Sequence, residues 1–457
     1  MKDSKHFPTA ILVTILTINL FFGYRAYSES ISKNKKDKVE SVRVLVDAVS
    51  ILRKNYVDAD KVSYEKLVYA AMEGMVKELD KHSRFHTPSD NEDVKEDTAG
   101  KFAGIGVILN FKDKILSVKK LIPDGPASKG DLKVGDIIIE VDGYVLKGEG
   151  FTEAKKHIKG ERGTKVVLKV RRIVGEQEKE VLVPLVRDIV KVPSVTRVRV
   201  VPETSFGYMY VKQFSRDTAS EFQDGLDKLI EKQITGLVLD LRGNPGGMLD
   251  VAVKMCSYFL KKNDLVIYTQ GRDSRGRRDY FALGGKKYNN LPIVILIDGG
   301  SASASEILSA CLHDYEKAIL IGEKSYGKGS VQTIVDLRDG SAIRFTIAKY
   351  FTKSNQTIHE VGISPDIDVK LSTEEKKDVY EHLGDLYPFE EELNDFDDKD
   401  RQLKTAISVL NNVVNADSSQ AVLKTFKQRK DAILKEAEKY TSAIPAEDAK
   451  ESPSENK

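Results

Sequence analysis

The 457-residue chain has no tryptophan, two cysteines and almost no net charge, +2 at neutral pH with histidine neutral. The missing tryptophan excludes nothing. Balanced charge removes the global field that would argue for a nucleic-acid binder, so no nucleic-acid partner is expected. Cys256 and Cys311 each lie among apolar residues on expected helices, which makes them buried thiols rather than a bridge, and neither has the surroundings of a nucleophile. Internal repeats are absent, as is a G-x-S-x-G elbow around residue 303. Ser325-Tyr326-Gly327-Lys328 and Ser89-Asp90-Asn91 formally match S-x-x-K and S-D-N, but no K-T-G follows. Gly322 to Lys328 almost spells a phosphate-binding loop, yet Gly329 stands where a magnesium-binding Ser or Thr is required, so ATP is not expected. His82 and His86 are spaced like helical metal ligands, but the residues between and after them read as a turn and no third ligand is evident. No metal, nucleotide or other cofactor is therefore expected.

What the chain does have is a serine cluster after an apolar run. Pro292 to Ile297 reads as a buried strand, Asp298-Gly299-Gly300 as a break, and Ser305 to Ala310 as the start of a helix. A serine in the cluster Ser301-Ala302-Ser303-Ala304-Ser305 then sits near a helix N-terminus, where unpaired amides and the dipole favour a developing oxyanion. The same cluster would also serve as a plain helix cap. A serine hydroxyl needs a base. Lys328, 25 residues beyond Ser303 and flanked by Gly327 and Gly329, can supply a neutral amine if burial destabilises its ammonium. Gln332, an even number of residues further and so on the same strand face, can hold that amine by a side-chain hydrogen bond. Alone, Lys328 would read as a solvated charge; with the serine turn and Gln332 it points to a serine hydrolase. His313 lies about ten residues along the helix, well over a turn from Ser303, and is a poor alternative base.

At these segments the chain resembles the carboxyl-terminal processing proteases, or tail-specific proteases, whose wording SASASE and GKGSVQ reproduce. The resemblance implies Ser303 as nucleophile, Lys328 as general base and Gln332 as its orienter, with Asp314 matching a further acidic position. Asp240 to Gly247 follows a short apolar strand and by itself reads as an ordinary strand-to-helix turn. In the family this D-L-R-x-N-x-G-G loop supplies one oxyanion-hole amide, here Gly246 or Gly247, and the residue after the nucleophile, Ala304, supplies the other. Upstream, Gly104-Ile105-Gly106-Val107 resembles the carboxylate-binding loop of PDZ domains, and Pro123 to Ala127, Leu132 to Ile138 and Val141 to Gly143 match that fold's later turns and strands. An open strand edge pairs with an extended peptide while glycine-loop amides hold its terminal carboxylate. The implied partners are polypeptides with apolar C-termini. Arg162, Lys165, Lys169, Arg171 and Arg172, interleaved with Val166, Leu168 and Val170, read as a solvated strand face.

The expected fold class is α/β within a multidomain α+β arrangement, with a protease core of the crotonase and ClpP-like kind. Residues 1–28 read as a signal anchor or signal peptide, 29–96 as a helical arm, 97–188 as the PDZ domain, 189–372 as the core, and 373–457 as a charged helical region with a disordered end. Lys2 and Lys5 precede 17 mostly apolar residues, Pro8 to Tyr24, and the poor cleavage site at Ala26-Tyr27-Ser28 favours a retained anchor. The catalytic body is thus expected on the periplasmic or cell-surface side of the cytoplasmic membrane, held by residues 8–24. Apolar periodicity in Val42, Leu45, Val46, Val49, Ile51 and Leu52, and again from Leu67 to Leu79, predicts two arm helices. In the family such an arm can pair subunits, so a homodimer is a hypothesis, and an adaptor or activator protein is a further expected partner. The reading that results is an exported serine endopeptidase that captures polypeptide C-termini and cleaves near them. The alternatives are a catalytically silent PDZ adaptor, against which intact Ser303, Lys328 and Gln332 weigh, and an esterase or amidase for small acyl substrates, against which the tail-binding module weighs.

Overall fold

The computed structural model describes residues 40–146, 151–175, 177–273, 276–285, 288, 290–384 and 399–414. The expected anchor at residues 8–24 and the expected disordered end lie outside the described residues. The chain divides into two units, residues 1–87 with 334–345, and residues 88–333 with 346–457.

The first unit contains the two expected arm helices. Residues 40–55 are helical, and Tyr64–Lys77 forms a second helix whose N-cap, Ser63, accepts the Lys66 N–H at 3.2 Å. Periodicity predicts the first helix but not its burial, because Val42, Val44, Leu45, Val46, Ile51 and Leu52 remain 45–65 % exposed. A turn after Asp80 leads into the short strand Arg84–His86, which pairs antiparallel with residues Ala342 to Arg344. Among the described residues no helix is long and apolar enough to cross a membrane.

The second unit holds a β-rich module and an α/β core. In the module, Val107–Lys112, Ile115–Leu121, Ile137–Val141, Lys165–Val174 and Gln177–Val186 form an antiparallel sheet in that order, with Val107–Lys112 at the edge. Lys165–Val174 alternates as a half-buried strand should: Val166, Leu168 and Val170 are fully buried, while Lys169 meets Glu180 at 2.7 Å on the outer face. Arg172 departs from the expected solvated face. Period two places it on the inner side with Val166 to Val170, and there it donates to both carboxylate oxygens of buried Asp136 at 2.7 Å.

The core is a six-stranded sheet in the order Val195–Val200, Phe206–Val211, Gly236–Asp240, Ile293–Ile297, Ala318–Gly322 and Ile367–Asp368. The first pair is antiparallel and the remainder parallel. The central strands are continuous apolar runs, as strands buried on both faces must be. Helices Thr218–Glu231, Leu249–Ser257 and Ala304–Asp314 pack on one face, Thr373–Gly384 and Arg401–Val414 on the other. The second face shows that a core ending at residue 372 would be incomplete. Leu403, Ala406, Val409, Leu410 and Val413 cover Val238, Val294 and Ile319 from below, so the helix Arg401–Val414 belongs to the core rather than to an appended tail. Arg242, 1 % exposed, fastens it, with Nη2 donating to Asp240 and to Asp400 at 2.6 Å each.

Gly236–Asp240, Ile293–Ile297 and Ala318–Gly322 are adjacent and parallel, with Leu296 opposite both Asp240 and Ile321. The loops that follow them, 241–247, 298–303 and 323–328, therefore leave from one sheet edge, where ligands of open α/β sheets bind.

Candidate active site

The first two loops are stitched together by backbone and short side chains. Asp298 Oδ1 accepts from Gly243 N, Gly300 N and Ser301 N at 2.9, 2.9 and 3.1 Å. The Asn244 carbonyl accepts from Ala302 N and from Ser305 Oγ, both at 2.9 Å. The Asn244 side chain, fully buried, donates to Val211 O at 2.6 Å and accepts from Gly246 N at 2.9 Å. Glycine is required at 246: φ is +94°, and a Cβ there would lie 2.5 Å from Ala302 O and 2.7 Å from Ser303 Cβ. The glycine turn thus lies directly against Ser303 and Ala304.

Ser303 is the N-cap of the helix Ala304–Asp314, with φ 55° and ψ −113°. That combination falls outside the left-handed helical basin and costs a non-glycine residue roughly 1–3 kcal/mol, so the surroundings must hold it. Glu306 does so. Its Oε2 accepts the Ser303 N–H at 2.8 Å and the Lys328 N–H at 2.9 Å, and its Oε1 accepts from Gly327 N at 2.8 Å and Ser325 Oγ at 2.6 Å. One buried carboxylate therefore ties the serine turn to the lysine loop; burial raises its pKa although these four donors oppose the shift. Buried Tyr350 adds a second tie, its hydroxyl donating to the Lys328 carbonyl and, at 3.4 Å, to the Ser303 carbonyl. Gly329 lets the chain pass: a Cβ there would meet His359 N at 2.2 Å.

Ser303, Ala304, Gly246, Gly247 and Lys328 are thus brought to one sheet edge, with Ser303 and Lys328 half-buried. Gln332 lies on the strand Ser330–Asp336, its amide nitrogen donating to Ser330 Oγ at 2.8 Å and Thr346 Oγ1 at 3.3 Å. Asp314 is not brought there. It closes the eleven-residue serine helix, roughly 16 Å along the axis from Ser303, and accepts from Ser354 Oγ at 3.0 Å. Glu306 and Tyr350 were not singled out by sequence, and Asn244 entered only as the N of the D-L-R-x-N-x-G-G loop without a role; Glu306 carried a signal of its own, the Ser-x-x-Glu spacing of a capping box.

The predicted carboxylate loop, Gly104 to Val107, opens on a cavity of about 300 Å³. Two of its carbonyls face into the module, Ile105 O accepting from Ala127 N at 2.7 Å and Gly106 O from Ile122 N at 2.9 Å. Gly106, at φ +76°, packs its Cα against Gly125.

A model of peptidase family S41 matches residues 205–369, and a PDZ-domain model matches residues 117–172. The chain is 37 % identical over 321 residues to a carboxy-terminal-processing protease of Bartonella bacilliformis, covering 69 % of this chain and 73 % of that protein. It is 32 % identical over 427 residues to a probable CtpA-like serine protease of Staphylococcus epidermidis, covering 88 % and 84 %. Among solved structures, a photosystem II D1 C-terminal processing protease is 28 % identical, with 72 % of this chain and 92 % of that one covered and a TM-score of 0.42.

Proposed function

Because the chain belongs to the carboxy-terminal-processing serine proteases of peptidase family S41, we propose that it hydrolyses peptide bonds with Ser303 as nucleophile and Lys328 as general base, near C-termini held in its PDZ domain. The observation that carries this reading is the Glu306 carboxylate, which binds the backbone amides of both residues at once. In the proposed cycle, Ser303 Oγ attacks the scissile carbonyl while neutral Lys328 Nζ takes its proton. Collapse of the tetrahedral intermediate breaks the C–N bond, Lys328 returns the proton to the leaving amine, and water hydrolyses the acyl-enzyme by the same relay.

The oxyanion is assigned to Ala304 N–H, at the first helical position, and to Gly247 N–H. Gly246 is the weaker choice because its amide is engaged by Asn244 Oδ1. Gln332 is assigned as the residue that steadies the Lys328 amine through its amide oxygen, since its nitrogen already donates to Ser330 and Thr346. The tail is assigned to the edge strand Val107–Lys112 and the amides of Gly104 to Val107, where the Ile105 and Gly106 carbonyls are turned away.

The test is cleavage of an unfolded protein with an apolar C-terminus by the full-length chain. Loss of cleavage in Ser303→Ala and Lys328→Ala, and weakening by C-terminal amidation, is the expected result; cleavage surviving in either variant would sink the assignment. The reading also includes export with anchoring by residues 8–24 and pairing through the arm, whose exposed stripe from Val42 to Leu52 supports it. Extraction of the intact chain from membranes by carbonate would refute the anchor, and monomeric scattering in detergent would refute the pairing.

A further inference from the structure

The cavity onto which the glycine loop opens has one wall from the PDZ domain and another from the protease core. Phe102, Ile105, Leu109 and Ile158 give it apolar surface, and Lys101, Lys155, Lys159 and Lys212 also line it. Three of these lysines have carboxylates. Lys101 meets Asp217 at 3.0 Å, Lys155 meets Asp93 at 3.2 Å, and Lys159 meets Asp93 at 2.7 Å and Glu96 more closely. Lys212 makes no ion pair with any described residue. It follows the buried core strand Phe206–Val211, and burial pushes its ammonium pKa down, with only the charge of Asp97 opposing. A cation so placed, beside apolar walls, with Asp97 near enough to act on its charge but no described carboxylate within ion-pair distance, gains from an anion that arrives with a ligand.

The same residue is two positions from Phe214, which braces the glycine turn. Phe214 N donates to Gly246 O at 2.9 Å, and Phe214 O accepts from Met248 N at 2.8 Å, a parallel bridge that fixes Gly247. Gln213, the residue between, donates to Asp97 O at 3.3 Å and also lines the cavity. The cavity wall and the support of the oxyanion turn are therefore one continuous stretch of backbone.

We propose that Lys212 is a specificity-determining residue: its ammonium pairs with a carboxylate of the bound polypeptide tail, and the link through Phe214 carries that pairing to the glycine turn. This rests on the assignment of the cavity to substrate tails. The carboxylate has two sources, the chain terminus and an acidic side chain near it, and the test separates them.

Anisotropy with full-length Ser303→Ala measures binding of short fluorescent tails in three forms: free acid, C-terminal amide, and amide with a glutamate near the end. The free acid is expected to bind more tightly than the amide, and Lys212→Met is expected to shrink that advantage about tenfold while Lys212→Arg keeps it. An advantage confined to the glutamate-bearing amide and lost in Lys212→Met supports the side-chain source. Discrimination that is equal with and without Lys212 overturns the proposal alone, whereas a parent protein indifferent to every carboxylate overturns tail capture as well. Lys212→Gln gives the same readout should Lys212→Met fail to fold. With Ser303 intact, Lys212→Met is expected to lower kcat on free-acid tails as well as to raise KM; an unchanged kcat overturns the link to the glycine turn.

Discussion

The two ends of the helix Ala304–Asp314 both carry residues that a serine protease could use, and only the near end has the backbone polarity that attack by a serine requires. At the far end, His313 Nε2 lies 3.0 Å from Asp366 Oδ1, and Asp314 reaches Ser354. Histidine, aspartate and serine are all present. A helix C-terminus, however, offers unpaired carbonyls and a negative dipole end, which would repel an oxyanion. Asp366 also accepts from Leu320 N at 2.9 Å, so the pair pins the middle of the strand Ala318–Gly322. At the near end the amides face outward, the serine is strained, and Glu306 gathers the second loop. Side-chain inventory does not separate the ends; backbone polarity does.

The comparison can be broken most sharply at the near end. Ser303→Ala and Lys328→Ala are each expected to lower kcat/KM on a protein substrate by about 10⁴ or more, since residues acting as a unit lose nearly everything singly. A loss below about tenfold in either would place the chemistry elsewhere.

Gly246→Ala comes next. Its methyl would strike Ala302 O and Ser303 Cβ and require a non-glycine residue at φ +94°. An oxyanion turn displaced this way should cost about 10²–10³ in kcat. Steady-state kinetics with melting as a folding control checks it, and wild-type kcat would show that the turn is not part of the oxyanion site.

Glu306→Gln sharpens the contrast by changing one acceptor oxygen into a donor that faces amides. A fall of about 10- to 100-fold in kcat is expected, from the loss of charge-assisted bonds to Ser303 and Lys328. The pH dependence follows from the same residue. Burial raises the Glu306 pKa, so on acidification it takes up a proton above the ordinary glutamate value of about 4.3. Activity should therefore show an acid limb above that value, which Glu306→Gln removes. This limb concerns activity: the folded protein binds that proton more tightly than the unfolded chain, so protonation itself does not disfavour folding.

His313→Gln is the smallest effect. The pair with Asp366 is partly exposed, the histidine side chain 32 %, and should contribute no more than about 1 kcal/mol of stability. Cleavage is expected within about twofold of wild type, and a loss comparable to that of Ser303→Ala would mean that the far end takes part in catalysis.

Much of the near end was legible in sequence because its markers are local. The strand-break-helix pattern around Ser303, the glycines beside Lys328 and the paired glycines after Asp240 each lie within a few residues, and the structure sets all three at one sheet edge. Glu306 was half legible. Its spacing from Ser303 is a capping signature, but its bonds to Ser325, Gly327 and Lys328 depend on parallel pairing of Ile293–Ile297 with Ala318–Gly322, which no local pattern specifies. Arg172 was misread because five basic residues among valines look like one solvated face, whereas the strand period assigns the last of them to the inside. The C-terminal helix was foreseen as helical but not as core, since most of the strands it covers lie far earlier in the chain.

The buried Arg242 clamp makes the core of this protease depend on residues close to its own C-terminal region. Asp400 and Gln402 hold Arg242, and Arg242 sits two residues beyond the strand that leads to the glycine turn. Trimming that stops beyond Val414 leaves this clamp whole. Trimming that removes Asp400 leaves a buried guanidinium short of one counter-ion, a loss of about 3–5 kcal/mol for a broken buried pair, and strips the apolar cover from the sheet. Self-digestion of this protease would therefore be self-limiting, because the blade is disarmed by the cut that goes too far.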